Sequence, residues 1–455
     1  MKEFHYINNQ FYIKLLLAHI GYGFLIYSLP FLAKTISIFI IVFFLFIIID
    51  RQNKGNEALM AAAYIAGAEV FYRQTGALIF YETGKYAVIV FLTIGMFFKG
   101  TSSKTVPYWL YLLILFPGVL IASLNFSYEA EVRKLIAFNL AGPVCLGISA
   151  LYCYYKKIKK EDFQRVLLML LMPLIAQAIY LFLYTPSMDQ VRIGLSGNYA
   201  ATGGYGPNQI STVFGMACFL LATRLFTIRN KIINFIDLIL LLFLGYRAVI
   251  TFSRGGIFTA IVCIVCFLIF FYYKQEVKKI QGTNFRIFVV FLIAVAVWFI
   301  SSAQTGGLIV NRYTNKDAAG QLKDDITTGR AELISTELTA FYKHPVFGIG
   351  VGKGIEYREE NLGIRIASHN EISRLLAEHG ILGIVALIIL VFVPLIFWFK
   401  FKNNYYFLAF VAFWFLTINH SAMRIALPAF VYGLALLYIV DEKKNPVHRK
   451  RLANQ

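Results

Sequence analysis

Charge is scarce in this chain, and negative charge is the scarcest. Only 15% of the 455 residues are charged, and 24 acidic residues face 43 Lys and Arg. A soluble domain carries about 25% charged residues, so an ordinary water-soluble fold is excluded for most of the length. Cysteine is sparse too. Cys145, Cys153, Cys218, Cys263 and Cys266 all fall in apolar stretches, which indicates neither a disulfide framework nor a zinc site. Even the C-x-x-C formed by Cys263 and Cys266 sits inside an apolar run, where cysteine packs as a small hydrophobe. Internal repeats, low-complexity tracts and a soluble domain are likewise missing.

What is abundant is long apolar sequence. The chain is 59% hydrophobic, with a mean hydropathy of +0.66. Apolar runs of about 17–21 residues recur, the length that crosses a hydrocarbon core of roughly 30 Å. They read as fourteen spans, at 12–28, 34–50, 57–72, 84–98, 107–124, 134–153, 166–184, 207–226, 232–249, 255–273, 287–302, 380–399, 405–420 and 425–440. The fold class is therefore all-α, a polytopic transmembrane bundle. The spans at 57–72 and 84–98 are the least regular, because Glu69, Arg73, Glu82 and Lys85 crowd their junction; fused or re-entrant segments there bring the total nearer twelve. The first apolar run leads straight into the second without a cleavage-type ending, so it reads as a retained span.

The excess of 19 positive charges needs mapping before it is interpreted. Arg51 and Lys54, Lys99 and Lys104, Lys156 to Arg165, Arg229 and Lys231, Lys274 to Arg286, Lys400 and Lys402 occupy alternate loops. All fall on one side if both termini are cytoplasmic, as the positive-inside rule requires. The charge is topological, and nucleic acid drops out as a partner. Three regions follow: a transmembrane bundle over 1–302, a large hydrophilic loop over 303–379, and further spans with a basic tail over 380–455. Residues 185–206 form a second, smaller outer loop.

Charges at the outer ends of spans need a reason. Arg247 and Arg254 flank two such ends, the latter in Ser253-Arg254-Gly255-Gly256. A guanidinium beside small residues at the lipid–water boundary suits a phosphate, to which it makes paired charge-assisted bonds; snorkelling to headgroups gives the same pattern. In the large loop, Leu333, Ile334, Leu338 and Phe341 recur at helical spacing, with Arg330 in the first turn and Pro345 beyond the end. Gly348, Gly350, Gly352 and Gly354 then alternate, which fits a backbone cradle for an anion or a simple glycine-rich turn. Asp324 and Asp325 read as solvated loop charge. Ser368-His369-Asn370-Glu371 fits the S-x-x-E capping box and puts His369 at the first helical position, where the helix dipole keeps imidazole neutral. A neutral imidazole there can take a proton from a sugar hydroxyl; a plain surface histidine beside a cap is the alternative. His379, His420 and Arg424 also fall at outer span ends, and His420 and Arg424 are spaced to share a helix face.

The order of these motifs resembles the O-antigen ligase/polymerase superfamily, polytopic envelope enzymes that include O-antigen ligases and Wzy-type polymerases. The matching residues are Pro207-Asn208, Thr251 to Gly256, Gly329-Arg330 through His344-Pro345 to Gly350, Ser368 to Glu371, and Glu378 to Gly383. The resemblance covers about Asn208 to Gly383; the first half is similar mainly in hydropathy. It implies a GT-C-like scaffold in the bacterial inner membrane, with a periplasmic site and no metal or other cofactor. The implied reaction moves a glycan from undecaprenyl-diphosphate to an acceptor hydroxyl, on lipid A core for a ligase or on another carrier-linked glycan for a polymerase. Membrane lipids are the other expected partners. By position His369 is the implied base, Arg254, Arg330 and Arg247 the diphosphate contacts, and Arg192, Asn208, Asn370, Arg312, His420 and Arg424 further substrate contacts. His369 and the single dominant loop favour the ligase type. A lipid-linked oligosaccharide flippase or small-anion carrier, a protein O-oligosaccharyltransferase and a non-catalytic assembly partner are the rival readings.

Overall fold

The computed structural model describes residues 9–126, 131–185, 197–273, 280–317, 319–322 and 329–440. The structure is 77% helical, and among the described residues ten helices are long and apolar enough to cross a membrane. The first half comprises α1 (Asn9–Ser28), α2 (Leu32–Asp50), α3 (Glu57–Gln74), α4 (Thr83–Lys99), α5 (Val106–Ile114), α6 (Phe116–Asn125), α7 (Val132–Cys153) and α8 (Lys160–Tyr184). After a short α9 (Gly197–Ala201) come α10 (Pro207–Thr227), α11 (Lys231–Ile250), α12 (Arg254–Tyr273) and α13 (Ile280–Gln304). The large loop folds as α14 (Leu308–Tyr313), α15 (Arg330–Lys343), α16 (Gly354–Leu362) and α17 (Glu371–His379), and α18 (Ile381–Lys400), α19 (Phe407–Ile418) and α20 (Ala426–Ala435) follow.

Two helices make the centre. α3 packs on α8 and is buried along nearly its whole length, and α10 is buried between α11 and α12. A helix that is polar at one end yet buried throughout must pair its charges. α3 does so. Arg73 meets Glu69 at 2.5 Å and Glu82 at 3.7 Å, Glu82 pairs with Lys85, and Glu69 also accepts from the Ala426 N–H. Two acids and two bases close on themselves at the junction that looked irregular in the sequence, and α3 and α4 are separate helices.

The span at 107–124 is present as Val106–Asn125, interrupted at Leu115 between α5 and α6, where Pro117 lacks an N–H and its ring crowds the carbonyl four residues back. Two expectations need correction. The spans at 405–420 and 425–440 are the short helices α19 and α20, of 12 and 10 residues. At 1.5 Å per residue they reach roughly 18 Å and 15 Å, each short of a full membrane crossing. Pro428 prevents α20 from running back through Arg424, and Ala422 turns in the left-handed region at φ 52°. His420 and Arg424 therefore sit on a turn and share no helix face. Finally, the chain beyond α20 includes a strand, β2 (Tyr438–Val440), which pairs in parallel with β1 (Lys157–Lys159).

The helix ends sort into two groups. Gln74 donates to the Thr202 carbonyl, Ser253 to Asn208, Arg312 to the Phe252 carbonyl, and His420 meets Thr212, so these turns and the 304–380 loop share one end. Lys54, Lys99 and the β1–β2 pair gather at the other.

Breaking a buried ion pair on one side leaves the partner charge uncompensated, at about 3–5 kcal/mol. Glu69→Leu is therefore expected to lower sharply the thermal unfolding midpoint of the detergent-solubilised protein. An unchanged midpoint would mean that the buried quartet contributes no stability.

Candidate active site

Arg254 opens α12 after a turn with unusual geometry. Phe252 adopts φ 57°, a left-handed conformation that costs a bulky residue of order 1–3 kcal/mol and persists only where its surroundings enforce it. Phe252 belongs to a buried cluster with Val249, Val297 and Ile309, and its carbonyl accepts from Arg312 Nε at 3.1 Å. Those contacts seat α14 against the turn and bring Arg312 beside Arg254. Ser253 Oγ donates to Asn208 Oδ1 at 2.8 Å, and Ser211 Oγ to the Ser253 carbonyl at 3.0 Å. Asn208 thus fixes the turn from α10. Gly256 is needed because a Cβ there would lie 2.2 Å from the Ser211 backbone, which lets α10 and α12 touch main chain to main chain.

Arg330 enters from the first residue of α15, after Gly329 in the left-handed region. Burial, then Arg254, then Arg330 hold the Arg312 guanidinium below its ordinary pKa; burial and then Arg254 do the same to Arg330. Three cations therefore feel one another, all only partly exposed. Among the described residues none of them has a carboxylate within ion-pair distance. Like charges in a half-buried crevice repel, so the arrangement asks for an anion.

His369 faces this cluster from the loop before α17. The first turn is not capped as the S-x-x-E pattern implied. Asn370 is the N-cap, its side chain accepting from Ile372 N at 2.9 Å and Ser373 N at 3.1 Å, which leaves His369 one residue outside the helix. Ser368 Oγ instead bonds within the turn. The expected neutrality stands, but its main cause differs: burial pushes the imidazole down to about 4, and Arg424, Arg330, Arg358 and His420 add to it. Among the described residues its ring makes no hydrogen bond.

The turn between α19 and α20 is welded to this loop. Ala422 N donates to the His369 carbonyl at 3.2 Å, Arg424 Nη2 to the Ser368 carbonyl, Asn370 Nδ2 to Asn419 Oδ1 at 3.1 Å, and Met423 N to Glu371 at 3.2 Å. His420 is held at both ring nitrogens, by the Leu416 carbonyl and Thr212, and rests on Gly255. Arg254, Arg312, Arg330, His369, Asn370, Asn208, His420 and Arg424 thus converge.

Other expectations fare differently. Arg247 is buried, and its guanidinium is spent on the Leu181 carbonyl and Thr185 Oγ1, at 3.1 and 2.6 Å. Arg192, Asp324 and Asp325 lie outside the described residues. The alternating glycines form no anion cradle. The amides of Gly348 to Gly352 donate to His344, Ala377, Glu378 and Gly118 carbonyls and the Glu378 carboxylate, and Gly350 is pressed against Ala122. His379 is buried beneath, against Gly118, and burial with Arg374 holds it down to about 3. Among the described residues no three His, Cys, Asp or Glu side chains are grouped to hold a metal ion.

The sequence reading missed an acidic–basic network under His369. Arg374 pairs with Glu371 and with Glu378 at 2.5 Å, and Arg358 pairs with Glu337 at 2.6 Å. The spacing of Glu371, Arg374 and Glu378 along one helix face was a readable signal; Arg358 and Glu337, on two helices, gave none. If Asn370 is the cap, Asn370→Ala loosens the first turn of α17 by about 1 kcal/mol, roughly fivefold faster amide exchange over its first turn, whereas Ser368→Ala leaves α17 amides unchanged. Hydrogen-exchange mass spectrometry with the opposite ranking would restore Ser368 as the cap.

Residues 239–388, which hold Arg254, Arg312, Arg330, His369 and Asn370, match the family model described as O-antigen ligase. No curated protein matches the chain. The match covers about a third of the sequence and includes α12 to α17. It leaves out Asn208, His420 and Arg424, which join the site through the contacts above. The match over 239–388 supports the resemblance of this chain to the O-antigen ligase/polymerase superfamily.

Proposed function

We propose that this chain transfers a glycan from a polyprenyl-diphosphate carrier to an acceptor hydroxyl, without a metal, as the ligase-type step of surface polysaccharide assembly. The observation that carries the reading is the juxtaposition of three arginines lacking a described carboxylate partner with a neutral imidazole whose ring is free among the described residues. Arg254, Arg312 and Arg330 hold the diphosphate, and His369 takes the proton of the acceptor hydroxyl. The acceptor oxygen bonds to the anomeric carbon as the bond from that carbon to the diphosphate oxygen breaks. The carrier diphosphate leaves with the electron pair, stabilised by the arginines in place of a general acid. The site faces the periplasm, where the carrier presents its glycan, and the basic end of the bundle faces the cytoplasm.

A base that titrates near 4 is weak, and the same cations explain how it strengthens. Bound diphosphate offsets the arginines, so the His369 pKa rises when the donor is in place. Transport is the weaker reading. The buried charges at the junction of α3 and α4 close into a neutral quartet held by the Ala426 amide, which suits packing better than a relay.

Two tests follow. In a strain deleted for the gene, wild type restores the surface-glycan ladder on a gel and His369→Ala does not, with transfer reduced about 10²–10⁴-fold; bare lipid A core in the deletion marks a ligase and a single repeat unit a polymerase. A His369→Ala variant that restores the full ladder would remove the base. In purified enzyme, the acid limb of kcat is expected at higher pH than that of kcat/KM, since the first reports the donor-bound enzyme and the second the free one. Coincident limbs would rule out charge offset by the donor.

A further inference from the structure

Arg358 and Glu337 lie on different helices, α16 and α15, and are 2% and 3% exposed. Their carboxylate–guanidinium bond, Arg358 Nη1 to Glu337 Oε1, is 2.6 Å. Each partner also reaches the loop that carries His369. Arg358 Nε donates to the Ile366 carbonyl at 2.8 Å, three residues before the imidazole. Ser373 Oγ donates to Glu337 Oε2, four residues after it. We infer that Arg358 and Glu337 are positioning residues for His369, one buried ion pair gripping both flanks of the loop that presents the imidazole. Neither has been given a part in the reaction above, and the inference rests on the reading of His369 as the base.

The geometry makes the grip two-armed. An arginine fork reaches a carbonyl and a carboxylate at once, and a lysine ammonium is a point charge that serves one of them well. The fork also fixes where a positive charge stands relative to the imidazole. The charged or titratable groups that bear on His369 come from three elements, Arg330 on α15, Arg358 on α16, and His420 with Arg424 on the turn after α19, while Glu371 and Arg374 on α17 behind the loop pair with each other. Glu337 balances Arg358 and so limits how strongly that cation opposes a proton on His369. The pair therefore acts on both the place of the base and its charge.

The two effects separate by substitution in the full-length protein in detergent. The readout for charge is His369 titration, followed as its rate of carbethoxylation against pH by peptide mass spectrometry, which needs no turnover. Arg358→Gln removes a repelling cation and is expected to raise the His369 midpoint by about half to one unit; Glu337→Gln leaves Arg358 unbalanced and lowers it. Arg358→Lys keeps the charge but not the fork, so the midpoint stays while kcat for glycan transfer falls about tenfold at unchanged donor KM. Elution profile and thermal midpoint confirm that each variant is folded. Neutral variants that move His369 in the same direction, or not at all, overturn the inference, and so does a wild-type kcat for Arg358→Lys. Full activity of His369→Ala instead overturns the proposed base, and the titration midpoints still decide whether the pair governs the imidazole.

Discussion

The structure turns on where a buried or half-buried guanidinium finds its counter-charge. Acidic residues are few, and the fold spends them on arginines that hold helices together. Glu69 and Glu82 take Arg73, Asp237 takes Arg224, Glu337 takes Arg358, and Glu371 with Glu378 takes Arg374. Removing a charge from water is costly unless it is paired, and these pairs meet that cost at the junctions of α3 with α4, α10 with α11, and α15 with α16 and α17. Arg254, Arg312 and Arg330 are left over among the described residues, in one crevice, with no acid assigned to them. Arg247 is buried without an acid as well, but carbonyls and a hydroxyl engage it, whereas Arg254, Arg312 and Arg330 lie together in one crevice.

The same division explains the geometry around His369. A free imidazole surrounded by cations stays neutral, and its loop would be expected to wander without support. It is held instead by two sets of contacts on its two sides. The turn at 419–424 bonds Ser368, His369, Asn370 and Glu371, and the Arg358–Glu337 pair bonds Ile366 and Ser373. The glycines at 348, 350 and 352 contribute close packing of main chain under α17, with their amides already engaged. What resembled a ligand-binding loop in the sequence is a foundation for the helix behind His369.

Much of this was legible in the chain because hydropathy and motif order are local. The apolar runs gave the helices, and Ser253 to Gly256, Arg330 and the Ser368–Glu371 motif converge as their order suggested. The misreadings have local causes that pattern alone does not weigh. Asn370 outcompetes Ser368 for the cap because its side chain reaches two amides at once. Arg247 looked like its neighbour Arg254, yet carbonyls at the ends of other elements claim it. Arg358 and Glu337 carried no signal, since their meaning comes from a contact between helices that the sequence separates.

The hairpin of α19 and α20 has a consequence for biogenesis. Synthesis runs from the N-terminus, and the segment that clasps His369 is translated about fifty residues after it. β2 then pairs with β1 across the interval from Lys157 to Tyr438, a contact of very long sequence separation, and such contacts form late because loop closure precedes their reward. The loop of His369 therefore gains its contacts from the 419–424 turn only after α19 is in place, so the last part of the crevice to form is the part that the C-terminal hairpin closes.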